Sequence, residues 1–192
     1  MPTDAQFAAE IAHEAGLALL DLRAGFGPVE DEARRHALKD AGDEVAQGIL
    51  SQRLTAHRGR DAVLSEEAAD SDARLTAERV WIIDPLDGTH EYSQGRTDFA
   101  VHVALWQRNV GPAGGLTDAV VDVPALSEVW RTDEPKEPQP LPTNRALRIV
   151  VSRSRPPAGL SRLLEDVSVA MADTGITSRG IEVANVGSVG AK

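Results

Sequence analysis

Val80-Trp81-Ile82-Ile83-Asp84-Pro85-Leu86-Asp87-Gly88-Thr89 is the stretch on which the reading of this chain turns. Its first four residues form an apolar run that reads as a buried strand. Asp84 and Asp87 follow three residues apart, with Pro85 and Gly88 to turn the backbone. Buried carboxylates repel each other unless a proton or a cation lies between them. A hard divalent cation such as Mg²⁺ takes oxygen ligands and keeps waters for a substrate phosphate. Gly88 permits close backbone approach, and Thr89 adds a hydroxyl. The pattern suits metal-assisted hydrolysis of a phosphate ester. The plainer reading is a strand-to-helix turn with Asp87 as an N-cap, and the spacing alone leaves both open.

The wider context separates them. Upstream, Val63-Leu64-Ser65-Glu66-Glu67 reads as a short strand ending in two carboxylates, and Asp43 lies at the start of, or within, an amphipathic stretch. With the Trp81–Thr89 stretch, this order resembles the inositol monophosphatase superfamily of Mg²⁺-dependent, lithium-sensitive phosphatases. Within that superfamily the chain is similar to the 3′-phosphoadenosine 5′-phosphate phosphatases, also called 3′(2′),5′-bisphosphate nucleotidases. The residues that carry this are the Val-Leu-Ser-Glu-Glu form, Val151-Ser152-Arg153-Ser154-Arg155 and Gly187-Ser188-Val189-Gly190-Ala191-Lys192. The Ala- and Arg-rich, Lys-poor composition fits an actinobacterial member.

The resemblance implies a set of roles. Glu66, Asp84 and the Leu86 carbonyl would form a first metal site. Asp84 would bridge to a second ion that Asp87 also binds, and Asp43 would serve an outer shell or a third ion, so that two or three Mg²⁺ ions are held in all. Glu66 and Thr89, with Asp43 behind them, would position and activate the attacking water. The substrate phosphate would sit over Gly88 and Thr89, with backbone N–H donors at the start of the following helix. Ser188 and Lys192 match positions that contact the nucleotide in the relatives, and Arg153 and Arg155, on a small-residue turn after a strand, carry guanidinium forks that suit phosphate recognition, with plain surface arginines as the alternative. The implied reaction removes the 3′-phosphate of 3′-phosphoadenosine 5′-phosphate, recycling a by-product of sulfate assimilation. Inositol monophosphate and fructose 1,6-bisphosphate are alternative substrates, and a non-catalytic metal- or phosphate-binding protein is the reading from a different class. The relatives run on through a Trp-Asp motif whose Asp completes the second metal site. None of the three Trp residues here is followed by Asp. The expectation is therefore an incomplete catalytic unit whose C-terminal part is missing.

Composition narrows the partners. The chain has 192 residues, 42% of them hydrophobic, enough for one large domain or two small ones. It has no cysteine, so any metal must be held by carboxylate, carbonyl, imidazole or water. The net charge of −10 argues against a nucleic-acid polymer, although bound metal would invert the local field for a small anionic substrate. No N-terminal apolar run is long enough for a signal or membrane helix, so a cytoplasmic protein without a membrane partner is expected. A homodimer is a further expectation.

Patterning sketches the rest. Thr3 and Gln6 read as a capping box for a first helix that ends near Gly25. Leu38 to Leu54 reads as a second helix. Strands are expected at Ala62–Leu64, Arg79–Ile83, Phe99–Trp106, Gly114–Val121, Glu128–Arg131 and Leu147–Ser152. The last is followed by a helix with Leu160, Leu163, Leu164, Val167 and Met171 on one face, then extended chain over Ile176–Val186. Helices followed by mostly hairpin-linked strands imply an α+β fold, and the resemblance implies the layered α-β-α-β-α sandwich of the sugar phosphatases. Three parts are expected: 1–135 as a metal-binding domain, 136–146 as a Pro-rich linker, and 147–192 as the start of a second α/β domain. His90 reads as a surface or substrate-edge residue, and His102 as a hydrogen-bonded core residue inside an apolar strand.

Overall fold

The computed structural model of the chain describes residues 2–137, 146–153, 155–173 and 180–187. These fall into two compact units that divide after Lys136.

The first unit begins with two long helices, α1 (Asp4–Phe26) and α2 (Glu32–Arg58). The Thr3–Gln6 capping box closes as expected, with Gln6 N donating to Thr3 Oγ1 at 3.2 Å and Thr3 N to Gln6 Oε1 at 3.0 Å. Helix α2 starts six residues earlier than the apolar pattern indicated (Leu38). Asp31 is its N-cap, with the Asp31 carboxylate accepting from Arg34 N at 2.7 Å. Its first turns are charged and largely exposed, so no apolar periodicity marked them.

A five-stranded sheet lies beneath the helices, in the order β1-β2-β3-β4-β5. Its strands are β1 (Ala62–Ser65), β2 (Arg79–Asp87), β3 (Ala100–Gln107), β4 (Gly115–Val123) and β5 (Glu128–Arg131). Strands β2 to β5 run antiparallel, while β1 pairs with β2 in parallel across a connection that contains a 3₁₀ turn at Asp72–Leu75. Alternation along the strands sorts the two faces. Trp81, Ile83, Val101, Val103, Leu105 and Val120 are buried in one cluster with Phe7, Ile11 and Leu19 of α1 and Leu38, Leu50 and Leu54 of α2. Burying each such large apolar side chain contributes about 1.5–3 kcal/mol, which makes this layer the chief support of the unit. The opposite face carries Ile82 beside Ala104 and Asp84 beside His102.

Strand β2 continues through Pro85 and Leu86 to Asp87, beyond the expected end at Ile83, with a register irregularity between Asp84 and Asp87. A single-turn helix, α3 (Thr89–Ser93), follows at once.

In the second unit β6 (Leu147–Ser152) and β7 (Ile181–Val186) pair in parallel around α4 (Leu160–Asp173), a βαβ crossover. The helix and first strand lie where the sequence placed them. The expected extended segment is seen from Ile181, and residues 176–179 lie outside the described residues.

Candidate metal centre

The end of β2 is held open by glycine. Gly88 has φ 88° and ψ 37°, the left-handed region that costs a residue with a side chain roughly 1–2 kcal/mol. Gly88 is also the N-cap of α3, so Asp87 does not cap that helix and the plainer reading of the motif fails. Thr89 donates its hydroxyl to the Leu86 carbonyl at 3.0 Å, and Leu86 N donates to Asp84 Oδ1 at 3.3 Å. The strand irregularity thus folds back on itself around Asp84.

Strand β1 brings the next carboxylate. Glu66 N donates to the Ile83 carbonyl at 3.3 Å, which places Glu66 at the edge of β2 just before Asp84. Ser65 ties this end of β1 to α2, donating to Gln47 Oε1 at 2.6 Å. Glu67 N in turn donates to Ser65 Oγ at 3.2 Å. Both Glu66 and Glu67 are exposed.

Helix α2 delivers Asp43 from its middle, not from its start. Gly42 explains how the helix comes so close. A Cβ at Gly42 would lie 2.9 Å from Tyr92 Cε1 and 3.0 Å from Leu86 Cδ2. Asp43 is carried in beside it, and its Oδ1 is buried without a hydrogen-bond partner. A cavity of about 540 Å³, lined in part by Asp40, Asp43, Gln47 and Glu67, opens next to it.

The electrostatics show that these groups share one field. Burial, then Glu66 and Asp87, pushes the Asp84 carboxyl up to about 7, against a smaller opposing pull from His102. Burial, then Glu67, Asp40, Asp84 and Glu66, pushes Asp43 up to about 7 as well. The carboxylates feel one another's charge without closing into a ligand shell: among the described residues no group of three or more His, Asp or Glu side chains is already gathered tightly enough to hold an ion. An oxygen-only donor set, mutual repulsion and an orphaned buried carboxylate oxygen nevertheless fit a hard divalent cation. Asp43, Glu66, Asp84, Asp87 and the Leu86 carbonyl are the groups that could hold it.

The sequence reading missed the place of His102. Its Cα is the cross-strand partner of Asp84, and its Nε2 stands 3.3 Å from Asp87 Oδ2. That contact is at ion-pair distance but lacks hydrogen-bond geometry, and Nε2 is otherwise buried without a hydrogen-bond partner. His102 is therefore not a satisfied core residue. The pairing register of β2 and β3 would have revealed this, but the long connection between them hides the register from sequence. His90 is exposed, with Nε2 2.9 Å from Gln94 Nε2.

Two of the remaining expected site residues are described within the second unit. Arg153 belongs to the second unit, where its Nη2 donates to the Asn185 carbonyl at 2.9 Å. Arg155 is exposed on the same turn, its N–H donating to Ser152 Oγ at 3.2 Å. Ser188 and Lys192 lie outside the described residues.

Residues 3–152 match the model of the inositol monophosphatase family. The chain belongs to the inositol monophosphatase family. Enzymes of this family use Mg²⁺ in general and act on small phosphate esters. A 3′-phosphoadenosine 5′-phosphate phosphatase of Mycobacterium leprae is 46% identical over 197 residues, covering 99% of this chain and 67% of the relative. One from Mycobacterium bovis is 45% identical over 182 residues, covering 93% of this chain and 62% of the relative. This family member thus spans roughly two thirds of the length of these mycobacterial relatives, and the actinobacterial character read from its composition agrees with them. Among solved structures, CysQ from Bacteroides thetaiotaomicron superposes with a TM-score of 0.68 at 20% identity, covering 96% of this chain and 72% of CysQ. Inositol monophosphatase II from Staphylococcus aureus superposes with a TM-score of 0.64 at 18% identity, covering 95% and 66%. The α+β fold of the family is therefore the fold of this chain. Among the described residues, no helix of this inositol monophosphatase family member is long and apolar enough to cross a membrane.

Proposed function

We propose that this chain is a Mg²⁺-dependent phosphatase acting on the 3′-phosphate of 3′-phosphoadenosine 5′-phosphate. The observation that carries the reading is the convergence of Asp43, Glu66, Asp84 and Asp87 into one field at the end of β2. The substrate is inferred from what the two mycobacterial relatives are named for, at 45–46% identity.

In this reading Glu66, Asp84, Asp87 and the Leu86 carbonyl would hold two ions, with Asp43 behind them or at a third. Bound metal supplies Lewis-acid polarisation of the phosphoryl group and a lowered water pKa. The protein's own part is positional. Glu66, exposed at the end of β1, accepts the proton of the attacking water and faces it towards phosphorus. Thr89, whose hydroxyl is steered by the Leu86 carbonyl, fixes the other side of that water. Gly88 leaves room for the phosphate. The water oxygen bonds to phosphorus as the bond between phosphorus and O3′ breaks, O3′ takes up a proton from solvent, and AMP and inorganic phosphate leave. Arg155, Ser188 and Lys192 are retained as substrate contacts, whereas Arg153 is already engaged with β7. The same reading places the chain in the cytoplasm, in recycling of a nucleotide by-product of sulfate assimilation, as a homodimer.

The test is a phosphate-release panel over 3′-phosphoadenosine 5′-phosphate, inositol monophosphate and fructose 1,6-bisphosphate, with Mg²⁺, with EDTA and with Li⁺. Release from the nucleotide that needs Mg²⁺, falls at millimolar Li⁺ and drops more than about a hundredfold in Asp84→Asn is expected, because charge neutralisation by metal supplies several kcal/mol. Turnover that persists in EDTA, or in Asp84→Asn, would remove the mechanism. Mg²⁺ binding without turnover would make the chain a binding protein, and preference for another ester would move the substrate.

A further inference from the structure

We propose that His102 is a positioning residue of the metal centre, holding the Asp87 carboxylate from the neighbouring strand in the orientation that presents it to a divalent cation. The inference rests on the metal-centre reading above and concerns a residue to which that reading gives no role.

Three observations carry it. His102 and Asp84 are cross-strand partners, so their side chains leave the same face of the sheet side by side. His102 Nε2 lies 3.3 Å from Asp87 Oδ2, with side chains only 25% and 17% exposed. Finally, Nε2 is buried and makes no closed hydrogen bond. A buried polar atom left so is costly, and the chain neighbours of His102 in β3 are Val101 and Val103. A valine would suit this strand better than an imidazole whose Nε2 faces a candidate ligand.

Asp87 pairs with Ala100 after a register shift that separates it from the Asp84–His102 pair, and His102 Nε2 meets its carboxylate across that irregularity. Both the neutral Nε2–H tautomer and the imidazolium donate from this atom, so the role does not depend on a proton being gained or lost. Contacts of this type are commonly loose before the ligand they serve is in place. Outer-shell partners that orient a ligand carboxylate are worth about 10–100-fold in metal affinity.

The experiment measures Mn²⁺ binding to the whole chain by the electron paramagnetic resonance signal of the free ion, with metal-free thermal unfolding alongside. His102→Leu removes the donor and His102→Gln restores one at similar reach. The expected result is about tenfold weaker Mn²⁺ binding in His102→Leu, recovery to within about threefold in His102→Gln, and a metal-free unfolding temperature of His102→Leu no lower than that of wild type. Where turnover is measured, His102→Leu should need more Mg²⁺ for half-maximal rate and reach the wild-type kcat at saturation. Should the leucine variant not fold, His102→Val, which suits a strand, carries the same comparison. Wild-type Mn²⁺ affinity in the donorless variant overturns the proposal, as does a glutamine variant that folds but binds no better than leucine. Asp84→Asn separates the two levels. If it loses Mn²⁺ while His102→Leu does not, only the role of His102 falls. If Asp84→Asn binds Mn²⁺ like wild type, the metal-centre reading falls and this inference with it.

Discussion

Gly42 does for α2 what no side chain could. Alanine normally improves a helix interior by about 1 kcal/mol over glycine. At Gly42 its methyl would press on Tyr92 Cε1 and Leu86 Cδ2 at 2.9 and 3.0 Å. The Tyr92 ring cannot swing aside cheaply, because it is fully buried and its hydroxyl donates to the Leu19 carbonyl at 2.7 Å. Overpacking of that kind costs about 1–3 kcal/mol, which exceeds the gain in propensity. Gly48 lies on the same helix with nothing within 4 Å of its would-be Cβ. The pair makes a controlled comparison by denaturant unfolding: Gly42→Ala should lose stability, and Gly48→Ala should gain about 0.5–1 kcal/mol. Gains at both positions would show that α2 does not depend on glycine for its approach to the β2–α3 turn, and the placement of Asp43 would need another cause.

Among the elements, one charged network ties the start of α1 to the end of α2 and to β2. Asp4 accepts from Arg58 Nε at 3.0 Å and from Arg79 Nη2 at 2.9 Å, and Asp61 accepts from Arg79 Nε at 3.0 Å and from Trp81 Nε1 at 2.9 Å. Burial alone would raise the Asp4 carboxyl, but the hydrogen bonds and charges of Arg79 and Arg58 outweigh it and hold the group below its ordinary value. A depressed acid stabilises the fold above its unfolded pKa, and that contribution is lost as pH falls through the folded value. Asp4→Asn should therefore cost about 1 kcal/mol near pH 7, and the gap to wild type should close below about pH 4, as read by urea unfolding across pH. A gap that persists or widens in acid would mean that shape, not charge, holds the three elements together. The same elements show what a sequence discloses. Capping box and apolar period made α1 legible, and the apolar run made β2 legible up to Ile83. The first turns of α2 were not, because a helix capped by Asp31 and exposed on most sides leaves no apolar stripe. Asp43, Glu66, Asp84 and Asp87 could be named from residue type and spacing. That Asp87 ends a strand rather than capping a helix, and that His102 faces it, depends on strand register and a backbone irregularity that residue types do not encode.

For the molecule as a whole, charge and stability are linked through the carboxylate cluster. The chain carries a net charge of −10, and two half-buried acids in one field are pushed up to about 7 by burial and by their acidic neighbours. Any cation relieves part of this by screening, but only a site that binds the folded state adds RT ln(1 + [Mg²⁺]/Kd), about 2.7 kcal/mol at a hundredfold excess over Kd. For a chain of this size each kcal/mol shifts the midpoint by about 2–4 °C. Mg²⁺ should therefore raise the unfolding temperature by several degrees beyond what NaCl of equal ionic strength achieves. Asp84→Asn should keep the screening part, lose the excess, and in the absence of metal unfold no earlier than wild type, since one member of a repelling set has been neutralised. Scanning calorimetry of both proteins in Mg²⁺ and in matched NaCl distinguishes the two contributions. An Mg²⁺ shift equal to that of NaCl, or one that Asp84→Asn shares in full, would mean that the acids at the end of β2 meet cations only as a diffuse cloud, and that their convergence is an electrostatic burden rather than a binding site.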